Sequence, residues 1–174
     1  HCIPKDPHLL MHSVKGKCET QLVRAARGIN ESMPHFTVEL VKSALEEKKV
    51  KVRGARIAVL GVAYKADTDD CRDAPAKKII DELKGAGAEI IAYDSFAREE
   101  DRKRFGVKFA DSVSGAVKGS DAIVIVTDHG EIKKANLVEM AAPIVKTKII
   151  VDGRNCVDRK EAEASGFVFR AIGR

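Results

Sequence analysis

The 174-residue sequence has no Trp, two Tyr and six Phe, too few aromatic faces for a protein that stacks single-stranded nucleic acid bases. No apolar run approaches the ~18 residues a membrane-spanning helix needs, which excludes a transmembrane helix. Four cysteines are too few to staple a disulfide scaffold. Cys2, Cys18, Cys71 and Cys156 show neither CxxC nor CxxH spacing, so no zinc site is expected. A reduced, cytoplasmic setting follows from that cysteine usage. The five histidines show no ligand spacing and receive no role. No charged-then-apolar leader is present, so no secretory signal is expected. A chain opening on His1-Cys2-Ile3-Pro4-Lys5-Asp6-Pro7 reads as the middle of something longer.

What is there is charge of both signs. Thirty-one Lys and Arg against 26 Asp and Glu leave a net charge of +5, which favours anionic partners such as nucleic acid, anionic membrane or phosphorylated ligands. The cations are interleaved with acids, as in Arg98-Glu99-Glu100-Asp101-Arg102-Lys103-Arg104. That is the pattern of a solvated helix face. A phosphate ligand therefore has to be argued from individual residues.

Two regions separate near Gly54. From about Cys18 to Val52, Leu22, Ala25, Ala26 and Ile29, then Val38, Val41, Ala44 and Leu45, recur at helical spacing. Pro34 interrupts them and either kinks one long helix or begins a second. From Gly54 onward, apolar strand-like runs alternate with helical pieces: 56–64, 88–94, a short run at Phe109, 121–127, 148–152 and 167–169. Helices are expected at 74–83 and around 131–141. Continuous apolar strands joined by helices imply a parallel sheet covered on both faces. The expected fold is α/β: a doubly wound, Rossmann-like domain at 54–174 preceded by a long central helix within 1–53.

Ligands of such sheets bind beyond the strand carboxyl ends. A dinucleotide-binding first strand would be followed by GxGxxG, but here only Gly61 is present and Tyr64 and Lys65 occupy the approach. Asp94, ending the second strand, is either a ribose-binding acid or a turn-capping aspartate. Lys65 and Arg154 both follow strand ends, where they either neutralise a diphosphate or pair with acids such as Asp67 and Asp152. Cys2, in an expected mixed-charge loop with Lys5 and Asp6, is either a reactive thiolate or a cysteine without function. Cys18, Cys71 and Cys156 fit a buried apolar role.

Three ordered segments carry a resemblance: His1-Cys2-Ile3-Pro4-Lys5-Asp6-Pro7; Leu60-Gly61-Val62-Ala63-Tyr64-Lys65 with Thr68-Asp69-Asp70-Cys71-Arg72-Asp73-Ala74-Pro75; and Asp152-Gly153-Arg154-Asn155. Together they resemble the nucleotide-sugar 6-dehydrogenases, which include the UDP-glucose, GDP-mannose and UDP-N-acetylmannosamine enzymes. The resemblance implies an NAD-binding domain and further catalytic residues upstream of these segments, a dimer-forming central helix and a C-terminal domain gripping the nucleotide. It implies a two-step oxidation of a UDP-sugar C6 alcohol to the acid with NAD, through a thioester on Cys2. Asp6 is then similar to the aspartate that positions water, and Lys5 and Arg72 to residues near the NAD. Tyr64, Lys65 and Arg154 are similar to nucleotide-sugar contacts, and the central helix implies a homodimer. His1 before the cysteine is similar to the N-acetylmannosamine branch, while Cys71 departs from a position where an aliphatic residue is common. Two other classes remain at this point: a non-catalytic nucleotide-binding and dimerisation module, and a nucleic-acid-binding domain suggested by the basic charge.

Overall fold

A computed structural model describes residues 2–173; His1 and its bearing on the sugar branch lie outside the described residues. In chain order these form α1 (Cys2–Ser13), α2 (Gln21–Glu47), β1 (Arg56–Leu60), α3 (Pro75–Gly85), β2 (Glu89–Tyr93), α4 (Glu99–Phe105) and β3 (Lys108–Phe109). There follow α5 (Val113–Val117), β4 (Ala122–Ile125), α6 (Gly130–Lys134), α7 (Leu137–Ala141), β5 (Ile149–Asp152), α8 (Arg159–Ala164) and β6 (Val168–Ala171). The six strands form one sheet in the order β3-β2-β1-β4-β5-β6, and every pairing is parallel. This is the expected doubly wound fold, with its switch point between β1 and β4.

The strand sequences explain the layers. Every residue of β4 and β5 is buried, as are the last four of β1. Successive side chains go to opposite faces. Ile57, Val59, Val124 and Val151 join one apolar cluster with Ile79, Ile80 and Leu83 of α3. Ala58, Leu60, Ile123, Ile125 and Ile150 join the other, with Ile132, Leu137 and Val138 of α6 and α7.

The long helix α2 belongs to both the core and the surface. Val38, Val41, Ala44 and Leu45 are wholly buried in the first cluster, while Leu22 and Ile29 in its first half are exposed. Of the two possibilities for Pro34, one helix runs on through it. The proline is itself buried, so packing offsets the hydrogen bond its missing N–H removes.

Two local expectations are corrected. Cys2, Lys5 and Asp6 lie on α1, a helix and not a loop. Pro4 falls in the first turn, where a missing N–H has no partner to lose. Pro7 leaves the carbonyl of Ile3 without its usual i+4 donor, and Arg27 Nη1 of α2 reaches that oxygen at 3.5 Å. The expected single helix at 131–141 is two, because Asn136 caps α7 by accepting from the Glu139 N–H.

After β1 the chain turns sharply between its neighbours. The Gly61 N–H donates to Tyr93 O at 2.8 Å, φ is +76°, and a Cβ there would sit 2.2 Å from the Thr127 carbonyl oxygen. Gly54 also has positive φ, +80°, but with open space around it. Gly54→Ala should therefore cost only the left-handed backbone penalty, about 1 kcal/mol. Gly61→Ala should add overpacking against backbone and cost more than ~3 kcal/mol. Urea midpoints of the two variants measure the contrast, and equal losses would refute the close-approach account.

Candidate functional site

Three segments leave strands on the carboxyl side of the sheet: the β1–α3 loop, the turn after β4 and the turn after β5. The first and third of these meet α1, α2, the start of α3 and the end of α4 around a cleft of about 880 Å³. Tyr64, Lys65 and Arg72 line it from the first loop, Arg154 from the third, and Ile3 and Pro4 from α1. Four of the residues singled out in the sequence are thus brought together. Cys2, Lys5 and Asp6 do not line this cleft; they are exposed on α1, whose next residues do.

The loop that presents Tyr64 and Lys65 is held from beneath by Asp94, which is fully buried. Its Oδ2 accepts from the Val62 N–H at 2.7 Å, the Ala63 N–H at 3.0 Å and His129 Nε2 at 2.9 Å. Its Oδ1 accepts from the Phe96 and Ala97 N–H groups, both at 2.9 Å. Five donors exceed the four lone-pair sites of a carboxylate. Asp94 is therefore the turn-capping aspartate of the two possibilities, with no capacity left for a ribose. Burial opposes its ionisation, but His129 and the Val62 and Ala63 N–H groups outweigh that and hold its pKa below the usual value.

His129, to which the sequence assigned nothing, completes this support. Its Nδ1 accepts from the Asp67 N–H at 3.0 Å, so the ring's Nε2–H faces Asp94. The ring is wholly buried and stacks on Phe96 with centroids 4.9 Å apart. Thr127 Oγ1 donates to Ala63 O at 2.5 Å, and the Gly130 N–H donates to Asp67 Oδ1 at 2.8 Å. The β1–α3 loop is therefore pinned to the ends of both β2 and β4. The available signal was position: Asp94 and His129 each sit just past an apolar strand.

The cleft's cations differ in how far they are neutralised. Arg72 grips Asp70 through two hydrogen bonds, 3.0 and 2.8 Å, and holds that carboxyl down to about 2. Arg154 Nε donates to Asp128 Oδ1 at 2.8 Å, and Lys133 takes the other oxygen at 2.6 Å. Arg154 is paired with an acid, but with Asp128 and not Asp152. Asp152 accepts backbone N–H groups of Arg154, Cys156 and Val157. Asp67, likewise, serves Gly130 and not Lys65. Lys65 makes no ion pair among the described residues, and the Nη groups of Arg154 make no hydrogen bond among them.

The cysteines divide as their burial dictates. Burial and nearby acids push Cys71 and Cys156 up to about 12, which makes them poor thiolates. Cys2 is exposed, and so is Cys18, against the buried role expected of it. One group with metal-ligand geometry escaped the sequence reading: His35 and Glu39, one turn apart on α2, and Glu82 of α3 bring donor atoms within 4.8 Å of one another. On this exposed face His35 already bonds Glu82 at 2.6 Å and Lys42 bonds Glu39 at 2.8 Å.

Residues 58–159 match the family model of the UDP-glucose/GDP-mannose dehydrogenase family, UDP binding domain. The chain is 44% identical over its whole length to the UDP-N-acetyl-D-mannosamine dehydrogenase of Pyrococcus horikoshii, covering 38% of that protein. It is 34% identical, over 99% of its length, to the UDP-glucose 6-dehydrogenase TuaD of Bacillus subtilis, covering 37% of it. A solved structure of the UDP-D-ManNAc dehydrogenase from Pyrococcus horikoshii superposes with a TM-score of 0.86 at 42% identity, covering all of this chain and 38% of that one. The chain thus spans well under half the length of the relatives it matches.

Asp94→Asn should test the support beneath the loop. The amide would turn an N–H₂ toward existing donors, an expected loss of about 3 kcal/mol. Because the carboxyl's pKa is depressed in the fold, its contribution is fully present above the unfolded value of 3.8 and is lost as pH falls through the lower folded value. The stability gap between wild type and variant, measured by urea unfolding, should therefore narrow below that pH. A gap that stays constant as pH falls below 3.8 would contradict the assignment.

Proposed function

The chain belongs to the UDP-glucose/GDP-mannose dehydrogenase family, and from that premise we propose that its cleft holds the diphosphate and sugar of a UDP-sugar for oxidation at C6. The observation that carries this reading is the convergence of Tyr64, Lys65 and Arg154 on one cleft at the strand carboxyl ends. Lys65 supplies an uncompensated point charge. Arg154, oriented through Nε by Asp128, keeps its remaining N–H groups for a bidentate grip on phosphate oxygens. Tyr64 offers an apolar ring edge and a hydroxyl to the nucleoside or sugar.

The family implies NAD as the oxidant. The residues present do not fit that group on this sheet: the glycine-rich turn is missing, and the acid at the end of β2 is saturated by five donors. No hydride step is therefore routed through them, and Lys5 and Arg72 are proposed to face a dinucleotide held by residues outside this chain. Cys2 is proposed as the nucleophile that adds to the C6 aldehyde as a thiohemiacetal. The hydride that must leave to give the thioester would pass to the NAD held outside this chain, and water positioned by Asp6 would then hydrolyse the thioester to the acid and the free thiol. UDP-N-acetylmannosamine is the favoured substrate, supported by the 44% identity over the whole chain and by His1 before the cysteine. No helix among the described residues is long and apolar enough to cross a membrane. A cytoplasmic setting suits a mechanism that needs a reduced thiol.

We also propose that α1 and the first half of α2 pair with a second copy about a two-fold axis. Leu22 is 83% and Ile29 67% exposed on α2, and Ile3, Leu9 and Leu10 are exposed on α1, an apolar set that a lone chain leaves in water.

UDP titrated calorimetrically into this chain should bind, and Lys65→Ala and Arg154→Ala should each weaken binding by about tenfold or more, the scale of one lost charge-assisted contact. Unchanged affinity in both variants would sink the nucleotide reading. In the full-length enzyme Cys2→Ala should abolish acid formation while leaving UDP-sugar affinity intact, and unaltered acid formation would remove Cys2 from the mechanism. Sedimentation of the chain at tens of micromolar should show a dimer that Leu22→Glu with Ile29→Glu converts to monomer. A wild-type monomer would contradict the pairing.

A further inference from the structure

A second cleft, of about 880 Å³, opens at the opposite edge of the sheet, around the amino ends of β1 and β2. The length of β1, five residues at about 3.3 Å each, separates the two edges by roughly 16 Å. Five cations line it, Arg56, Lys84, Arg102, Lys103 and Lys108, against one carboxylate, Glu89. The carboxyl-edge cleft is also lined by more cations than acids, but several of its cations are held by carboxylates, as Arg72 is by Asp70 and Arg154 by Asp128.

The bonding of these cations leaves their charge in place. Lys84 Nζ donates to the Gly106 carbonyl at 2.7 Å. Arg102 donates to the carbonyls of Ala97 and Asp94, both at 2.9 Å, and lies 5.3 Å over the Phe109 ring. All of those partners are neutral. Lys103 meets Glu99 at 3.2 Å on an exposed helix face, a weak and screened pair. Lys108 and Arg56 make no side-chain ion pair among the described residues. Arg56 Nε is buried and has no hydrogen-bond partner. A buried guanidinium N–H left unsatisfied is costly unless an acceptor is brought to it. This cleft thus carries a surplus of positive charge, and Ile90 and Val107 add apolar wall.

We propose that this amino-edge cleft is a second binding site, for a small molecule carrying two or more linked phosphates. A polyphosphate supplies acceptors to the Arg56 fork while its charge is shared among the surrounding lysines. The volume exceeds what a single phosphate fills, and the apolar wall accommodates an organic body attached to the phosphates. The inference rests on the basic cleft alone and stands apart from the nucleotide reading of the carboxyl-edge cleft.

Tripolyphosphate is the probe, titrated calorimetrically into three proteins: wild type, Lys103→Glu/Lys108→Glu, and Lys65→Ala/Arg154→Ala. The first pair of substitutions falls on exposed side chains, and a Arg56→Gln variant with an unchanged melting temperature adds a neutral probe of the donor. We expect binding that weakens at least about tenfold on charge reversal, weakens likewise in Arg56→Gln, and survives in Lys65→Ala/Arg154→Ala. Four results overturn the proposal. One is no binding by wild type at about 1 mM probe, a free energy near −4 kcal/mol. Another is loss in the Lys65→Ala/Arg154→Ala protein with retention on charge reversal. The third is equal weakening in both double variants, the mark of an unlocalised charge effect. The last is unchanged affinity in a folded Arg56→Gln protein.

Discussion

The carboxyl edge of this sheet depends on one buried carboxylate. Asp94 receives five hydrogen bonds from three separate parts of the chain: the loop after β1, the turn after β2 itself, and His129 after β4. Removing a carboxylate from water is tolerable only when its lone pairs are met this fully. The same condition makes the arrangement rigid. No one of the three segments can move without stranding donors and an anion together, so Tyr64 and Lys65 stand on a fixed platform. In a dinucleotide-binding sheet the acid at this position stays available to a ribose, and glycines keep the first loop slim so that a pyrophosphate can approach. Here the acid binds the protein's own loop, and bulk at Tyr64 and Lys65 is compatible with that. One residue's change of partner thus closes the ribose position on this topology.

Much of the architecture was legible because it rests on burial. The runs at 56–60, 122–125 and 149–152 are continuous and β-branched, as strands covered on both faces must be, and the parallel order follows once helices separate them. Gly61 was legible as the one glycine present where GxGxxG would stand, though not as the point where the chain passes against the Thr127 carbonyl, since that contact joins residues far apart in sequence. The misses share a cause. Pro4 and Pro7 argue locally against a helix, and the donor that helps α1 past Pro7 belongs to Arg27 on another helix. His129 lacks ligand spacing because its partners, Asp94 and Asp67, come from other strand ends. Pairings made by the fold leave no periodic trace in the chain.

The helix α2 shows how one element serves two environments. Its second half contributes wholly buried residues to the layer over the sheet, while its first half carries α1 through thin polar contacts: Arg27 to Ile3 O, and Glu31 shared between Arg27 and His8. No residue of α1 is buried. Packing therefore holds the second half of α2 firmly and α1 weakly. A nucleophile placed on α1 depends for its position on whatever else touches that helix, be it a second copy or residues beyond this chain. On the proposed function, binding and chemistry would rest on parts of unequal stability.

Net charge proves a poor guide to where an anion would go. Several cations of the carboxyl-edge cleft are matched internally: Arg72 by Asp70, Arg154 by Asp128, Arg27 by Glu31, Arg104 by Asp101. Such pairs orient guanidinium groups more than they attract distant anions, because each acid cancels most of the long-range field while fixing the direction of the remaining N–H donors. What that cleft offers is then aimed donors together with Lys65 and Lys78, which make no ion pair among the described residues. At the amino edge the balance is reversed, with charge largely uncancelled and few donors fixed by acids. A site of the first kind discriminates by shape and hydrogen-bond direction. One of the second kind responds chiefly to how much negative charge a ligand concentrates, and loses most of its grip as ionic strength rises.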